Sequence, residues 1–282
     1  MPSSYEHLRD QSLADLRNYM DSLPEKKGTI LAYWIKDYAR FLSKEEEFDP
    51  NKLIRYKRGS IVKAHLGYRI GSEEGGLHYA VVIDVANSKS APTATIIPLT
   101  SVKPNTDLEN LHPSRLYIGD EIYQALQQKT VSEIQDTNRL LTSLQQRVEK
   151  NRQAALDIQA SMRLVEENKQ TESDFSAEDA KAQLAERRAI TEALSREIYS
   201  LVRKVEHCEK MGREIQKMKH GSIALVGQIT TISKLRIYDP MYPSDTLSNI
   251  RLSASTMDKL DQKLRNLFTY EAKNCTNPGN NS

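Results

Sequence analysis

Cysteine is scarce: Cys208 and Cys275 are the only two, far apart, with no CxxC and no paired ligand spacing. That excludes a disulfide scaffold and a cysteine-based zinc centre, and it fits a reducing compartment. Long apolar runs are lacking too, since no window approaches the ~18 residues that a membrane span needs. The first thirty residues show no apolar core behind a basic start, so the sequence predicts a cytoplasmic protein with no membrane partner. Net charge is only +2, so the chain as a whole does not demand nucleic acid. No GxxxxGK[ST] phosphate loop, HExxH, GxSxG elbow or GxGxxG occurs, and neither a cofactor nor a metal is predicted.

What is present is charge in long polar stretches. Over 282 residues the apolar share is 38% and the charged share 28%, which predicts much solvated helix beside a modest core. The charge is uneven. Between Lys52 and Arg69 stand Lys52, Arg55, Lys57, Arg58, Lys63 and Arg69 with no acid, and with Tyr56 and Tyr68 among them. Such a patch is either a phosphate-backbone footprint or a solvated basic segment.

Four regions separate by pattern, with a short tail behind them. Residues 1–50 read as two amphipathic helices, Tyr5 to Met20 and Thr29 to Leu42, broken at "SLPEKKG" and closed before Pro50. Residues 51–120 hold "SIVKAHLG", "AVVIDVA", "TATIIPLT" and "SRLYIGD". These are short β-branched runs between turn residues, which predict an antiparallel barrel or sandwich. Residues 121–220 switch to a heptad pattern: Ile134, Leu141, Val148, Ala155 and Met162 recur every seven residues, joined by Leu144, Ile158 and Val165. Asn151 falls on the same seam, where a polar residue fixes register. After a predicted N-cap at Ser176, a second seam runs through Leu194, Ile198, Leu201, Val205, Cys208 and Ile215. Two such arms form a hairpin that extends ~60 Å and returns the chain to its starting point. Residues 221–270 resume with "SIALVGQITTISKLRI", read as a strand, and a closing helix through Met257, Leu260, Leu264, Leu267 and Phe268. Residues 271–282 read as a disordered tail.

The chemistry-bearing constellation is the "GSEEGGLH" loop, Thr100 and Ser101 at the end of "PLTS", and "GQITTISK". In this order, "KRGSIVKAHLG", "GSEEGG" with "AVVI" behind it, "PTATIIPLTS" and "ALVGQITTISKLRI" resemble the PemK/MazF toxin family. The resemblance implies an α+β fold: a small SH3-like antiparallel β-barrel (PemK/MazF/CcdB-like), here with N-terminal helices and interrupted by a long antiparallel coiled-coil helical hairpin. It implies a homodimeric endoribonuclease of a type II toxin-antitoxin pair, acting on single-stranded RNA without metal and inhibited by a cognate antitoxin.

Residue by residue, the resemblance is partial. Where the family's glycine-rich loop carries a catalytic arginine followed by proline, this chain has His78 and Tyr79. The family's catalytic threonine matches Thr100. Its "Gln-Ile-Arg-Thr-Ile" strand matches Gln228 to Ile232, with Thr230 in place of arginine. Cleavage by 2′-OH attack calls for a base, an acid and a cation. Histidine moves a proton as arginine cannot. The resemblance therefore makes His78, Thr100 and Glu73 the candidate catalytic residues, with Glu73 a base or a contact to a base edge. Arg69, Ser72, Gly75, Gly76, Ser101, Gln228 and Thr231 are the candidate nucleic-acid contacts, the Gly75 and Gly76 N–H groups holding phosphate oxygens. Arg69 or Lys63 stands in for the missing cation, and Tyr56, Tyr68 and Tyr79 are candidates for base stacking.

Three functions stay open on the sequence: the ribonuclease, a silent PemK-like module that binds nucleic acid or protein, and a structural protein whose hairpin is the working part. The hairpin is either a self-packed arm or a partner surface. Leu140, Leu156 and Leu164, off the main seam, widen it toward an assembly.

Overall fold

The computed structural model describes residues 4–167, 177–218 and 220–270. The predicted cap at Ser176, the side chain of Val165 and the tail 271–282 lie outside the described residues. The chain divides into two compact units, Met1–Ala125 with Met218–Ser282, and Leu126–Lys217.

The first unit opens with helices α1 (Ser4–Ser22) and α2 (Glu25–Ser43); the break falls inside the predicted "SLPEKKG" but is confined to Leu23 and Pro24, so α2 starts ahead of the predicted Thr29. Strands β1 (Ile61–His65), β2 (Leu77–Val82), β3 (Thr93–Ser101) and β4 (Arg115–Gly119) follow. Helix α3 (Glu121–Glu167) and helix α4 (Ala177–Lys217) come next. The chain ends in β5 (Ser222–Leu225), β6 (Thr230–Ser233), β7 (Ile237–Asp239) and α5 (Ala254–Phe268). All ladders are antiparallel, in the order β4-β5-β3-β2-β1-β7, with β6 added to β3.

Two predictions change here. The sheet is an open path whose ends are β4 and β7, so the predicted barrel is not closed. The run Ser222 to Ile237 is not one strand but three, separated by 3₁₀ turns at Val226–Gln228 and Lys234–Arg236. Gly227 lies in the first of these turns against Ser114, whose carbonyl accepts from its N–H at 3.1 Å and whose Cβ would stand 2.8 Å from a Cβ at 227. Gln228 sits on the same turn.

β3 organises the unit. Its first half pairs β6 at Thr93–Ile96, its middle pairs β2 at Ile96–Pro98, and its end pairs β5 at Leu99–Ser101. It contributes to both clusters of the core, one of Ile61, Val81, Ile97, Leu247 and Leu260, the other of Tyr56, Val62, Ile96, Ile232 and Ile237. Ser253 caps α5 by accepting from Thr256 N at 3.2 Å, a bond whose loss costs about 1 kcal/mol. Met257 and Leu260 of α5 are buried, whereas Phe268, expected on the same face, is exposed.

α2 is fastened to β1 and β7 by an aromatic and charged cluster. Trp34 stacks on His65 with ring centroids 4.6 Å apart, and the Arg236 guanidinium lies 5.6 Å from the Trp34 ring. Arg236 Nε donates to the His65 carbonyl at 2.8 Å, and the Tyr238 hydroxyl to Asp37 at 3.1 Å. Burial holds the His65 imidazole below its usual range, an effect that Asp37 opposes. Burial also lowers Arg236 and raises Tyr238.

In the second unit α3 and α4 run antiparallel, because partners on α4 fall in number as those on α3 rise: Thr137 meets Cys208, Arg147 meets Glu197, and Asn151 meets Thr191. Asn151 is buried on the seam as its sequence position implies, and its amide donates to Thr191 Oγ1 at 2.9 Å. Leu144, Ile158 and Leu194 are buried there as well. The first heptad series is not: Ile134, Leu141 and Val148 are each about two-fifths exposed.

Candidate functional site

The loop between β1 and β2 is held at its base and braced across its middle. At the base, Leu66 N donates to Gly76 O at 2.8 Å and Gly76 N to Gly67 O at 2.7 Å. Across the middle reaches the Gln228 carboxamide, accepting from Glu74 N at 2.6 Å and donating to Ser72 O at 3.3 Å. One amide therefore uses its acceptor and a donor on two loop residues, as a half-buried amide requires. Gly75 is demanded by crowding, since a Cβ there would lie 2.8 Å from Arg69 Cβ and 2.9 Å from Gly67 O. Gly71 and Gly76 instead supply positive φ, 61° and 83°, with open space around them.

His78 belongs to β2 rather than to the loop, opposite Ala64 of β1. Its Nε2 lies 3.1 Å from Glu74 Oε1, and its Nδ1 lies 3.4 Å from the Leu99 carbonyl, the residue before Thr100. Both neighbours are acceptors. An imidazolium donates to both, and a neutral ring to one. His78 stands two residues before Ala80 and Thr100 two after Pro98, and Ala80 pairs with Pro98. The antiparallel ladder therefore carries both residues to the same end of β2 and β3.

Two clefts flank the loop. The larger, about 740 Å³, is lined by Arg69, Glu74, Gly75, Gly76 and His78 of the loop and β2 and by Leu16 and Tyr19 of α1 and Ile30 and Leu31 of α2. The smaller, about 580 Å³, is lined by Ser72, Glu73, Glu74, Pro98, Gln228 and Thr230. Glu74 lines both. Of the predicted site residues, Arg69, Gly75, Gly76 and His78 line the larger cleft and Ser72, Glu73 and Gln228 the smaller.

Several stand otherwise than the sequence implies. The Gly76 N–H is spent on Gly67 O inside the loop. Glu73 accepts from Ile70 N at 3.1 Å, which binds its carboxylate into the local turn. Thr231 pairs with Thr95, hydroxyl to hydroxyl at 3.1 Å, five residues along β3 from Thr100, or ~17 Å at ~3.3 Å per residue. Ser101 is exposed opposite Ser222, and neither it nor Thr100 lines either cleft. Lys63 pairs with Tyr79 and lies 5.3 Å from its ring. Alternation puts both on the face away from His78, so Lys63 cannot replace the missing cation there. Tyr56 is fully buried with its hydroxyl on Pro240 O at 2.7 Å, so it cannot stack a base. Arg58 is committed to Asp261 and to Ile83 O.

The sequence reading passed over two contributors. Glu74, the second of the paired loop carboxylates, was not among the predicted site residues, and its approach to His78 depends on the loop's fold. The helix residues that line the larger cleft carried no signal.

Residues 57–159 match the family of the PemK-like, MazF-like toxin of type II toxin-antitoxin systems. No curated protein matches the chain. The PemK/MazF-like segment contains Arg69, Ser72, Glu73, Gly75, Gly76, His78, Thr100 and Ser101, and it runs into α3. It stops short of Gln228 and Thr231, which the sequence resemblance had included. Among the described residues no helix is long and apolar enough to cross a membrane, and no group of three or more His, Cys, Asp or Glu side chains could hold a metal ion.

Proposed function

We propose that the chain is a toxin of the PemK/MazF kind that cleaves single-stranded RNA and is held in check by a cognate antitoxin. The observation that carries this reading is His78, flanked by the Glu74 carboxylate at 3.1 Å and by the carbonyl that precedes Thr100, in the lining of a cleft of about 740 Å³. In the reaction the ribose 2′-oxygen attacks the adjacent phosphorus and the bond to the 5′-oxygen breaks. The products are a 2′,3′-cyclic phosphate and a 5′-hydroxyl. His78 takes the proton from the 2′-hydroxyl as base and, as acid, gives one to the departing 5′-oxygen, with Glu74 orienting the ring. Arg69 supplies the cation, and the Thr100 hydroxyl contacts a phosphate oxygen. No step calls for a metal.

A second reading is a silent RNA-binding module. It is favoured by the engagement of both ring nitrogens of His78 within the protein and by Thr230 where the family has arginine.

Incubation of the purified chain with a long single-stranded RNA in EDTA, with the cut ends mapped, separates the two. Cleavage that His78→Ala and Thr100→Ala each reduce by ~10²–10⁴-fold supports the enzyme. Absence of cleavage sinks it, and RNA binding that weakens with salt then supports the module. The homodimer implied by the family is checked by sedimentation of the same sample.

A further inference from the structure

The α3/α4 hairpin leaves half of its heptad pattern uncovered. Leu144 and Leu194 fill the seam between the helices. Leu141 and Val148 of α3 and Ile198, Val202 and Val205 of α4 remain between 39% and 48% exposed. They are not scattered. Together they wall one open groove of about 980 Å³, floored by Leu144 and Leu201. A helix pair can bury only one stripe of each helix against the other. A second stripe at seven-residue spacing matches the repeat of a further helix laid between the two.

The remaining lining decides which helix. Glu149, Glu206, Glu209 and Gln145 complete the groove, and no lysine or arginine is among them. Glu149 and Glu209 reach Arg152 at 3.6 Å and Arg213 at 3.5 Å along their own helices. Both pairs are exposed, and such pairs contribute little, so the carboxylates remain available to a partner. A second copy of this chain is a poor occupant. A two-fold interface sets a surface against itself, and it would oppose these three carboxylates to the same three without a cation from either lining. A helix with an apolar stripe and flanking lysines or arginines meets both requirements.

We propose that this groove receives a basic amphipathic helix of another protein. On α4 the groove spans Ile198 to Glu209, roughly three turns at 1.5 Å per residue, which suits anchors at i, i+4 and i+7. The proposal does not depend on ribonuclease activity.

The probes are two fluorescent peptides of about 14 residues with one leucine stripe, flanked by lysine in one and by glutamate in the other. They are titrated into the full-length chain at several salt concentrations. The expected result is at least about tenfold tighter binding of the lysine peptide, weakening with salt, and loss of binding in Val148→Asp and Val205→Asp. Replacing Glu149, Glu206 and Glu209 together by lysine reverses the preference toward the glutamate peptide, which misfolding cannot imitate. Equal affinity for the two peptides overturns the proposal, as does the absence of binding. A dimer that Val148→Asp splits also overturns it, because a second copy then covers the groove.

Discussion

Glu74 connects Gln228 to His78: its backbone N–H is held by the Gln228 carboxamide at 2.6 Å, and its carboxylate lies 3.1 Å from the His78 ring. A residue outside the family match thus sets the position of a residue inside it. The loop's glycines give it freedom, and the Gln228 amide takes that freedom back at one point. The order of the loop, and through it the orientation of His78, depends on a turn that follows β5.

Gln228→Ala should release the loop without unfolding the sheet. It removes two hydrogen bonds, together worth roughly 1–3 kcal/mol of local stability. Hydrogen exchange should rise in residues 66–76 and stay unchanged in β3, and cleavage should fall by about tenfold. Unchanged exchange in the loop would contradict the brace.

Gly75→Ala and Gly71→Ala should differ. At Gly75 the added methyl meets Arg69 and Gly67 at under 3.0 Å, so the loop must shift, whereas at Gly71 it meets open space. At Gly71 the cost is the positive φ alone, about 1 kcal/mol. RNA cleavage or binding should suffer at least several-fold more in Gly75→Ala, measured on proteins of matched thermal stability.

Thr100→Val and Thr231→Val make a paired test of which threonine serves the site. Thr231 is bound to Thr95 at 3.1 Å on the β3–β6 ladder, so its loss should leave cleavage within about twofold. Thr100→Val should cost ~10²-fold. Equal effects would mean that RNA runs along the whole of β3.

The docking of α2 should weaken in acid. Burial lowers the folded-state pKa of His65 from 6.5, so the unfolded chain binds the proton first as pH falls. The contribution is therefore complete above about 6.5 and is lost as pH drops toward and through the lowered folded value, with a slope of at most about 1.4 kcal/mol per pH unit. Trp34, the single tryptophan, stacks on this ring, so its fluorescence during urea unfolding between pH 8 and 5 reports the effect. His65→Gln should flatten the dependence, and a stability that rises on acidification would refute it.

Asn151→Leu should stabilise the helical hairpin by about 1 kcal/mol, because a buried polar residue on a seam costs stability while it fixes register. The Thr191 hydroxyl keeps its bond to Arg187 O at 2.9 Å, so no donor is stranded. Thermal melting followed by circular dichroism should show an upward shift in the helical transition.

The sequence by itself determined the elements whose patterns are local: the break between the first two helices, the short β-branched runs of β1, β3 and β4, and two long helices with Asn151 on their seam. It also marked the "GSEEGGLH" loop as the place for chemistry, since glycine and paired carboxylates are written into adjacent positions. Tertiary structure decided what depends on distant residues. The expected fifth strand gives way to a 3₁₀ turn at Val226–Gln228, from which Gln228 reaches the loop, a contact with a residue 154 positions away that local pattern cannot show. That the sheet stays open, with β4 and β7 at its ends, was not legible either, because strand order is a choice among ladders that periodicity does not encode. The heptads divided between a buried seam and an open groove, since spacing states which residues share a face but not how many helices arrive to cover it. His78 and Thr100 share an end of the sheet for the same reason: β2 and β3 are antiparallel neighbours, a fact carried by pairing and absent from either segment alone.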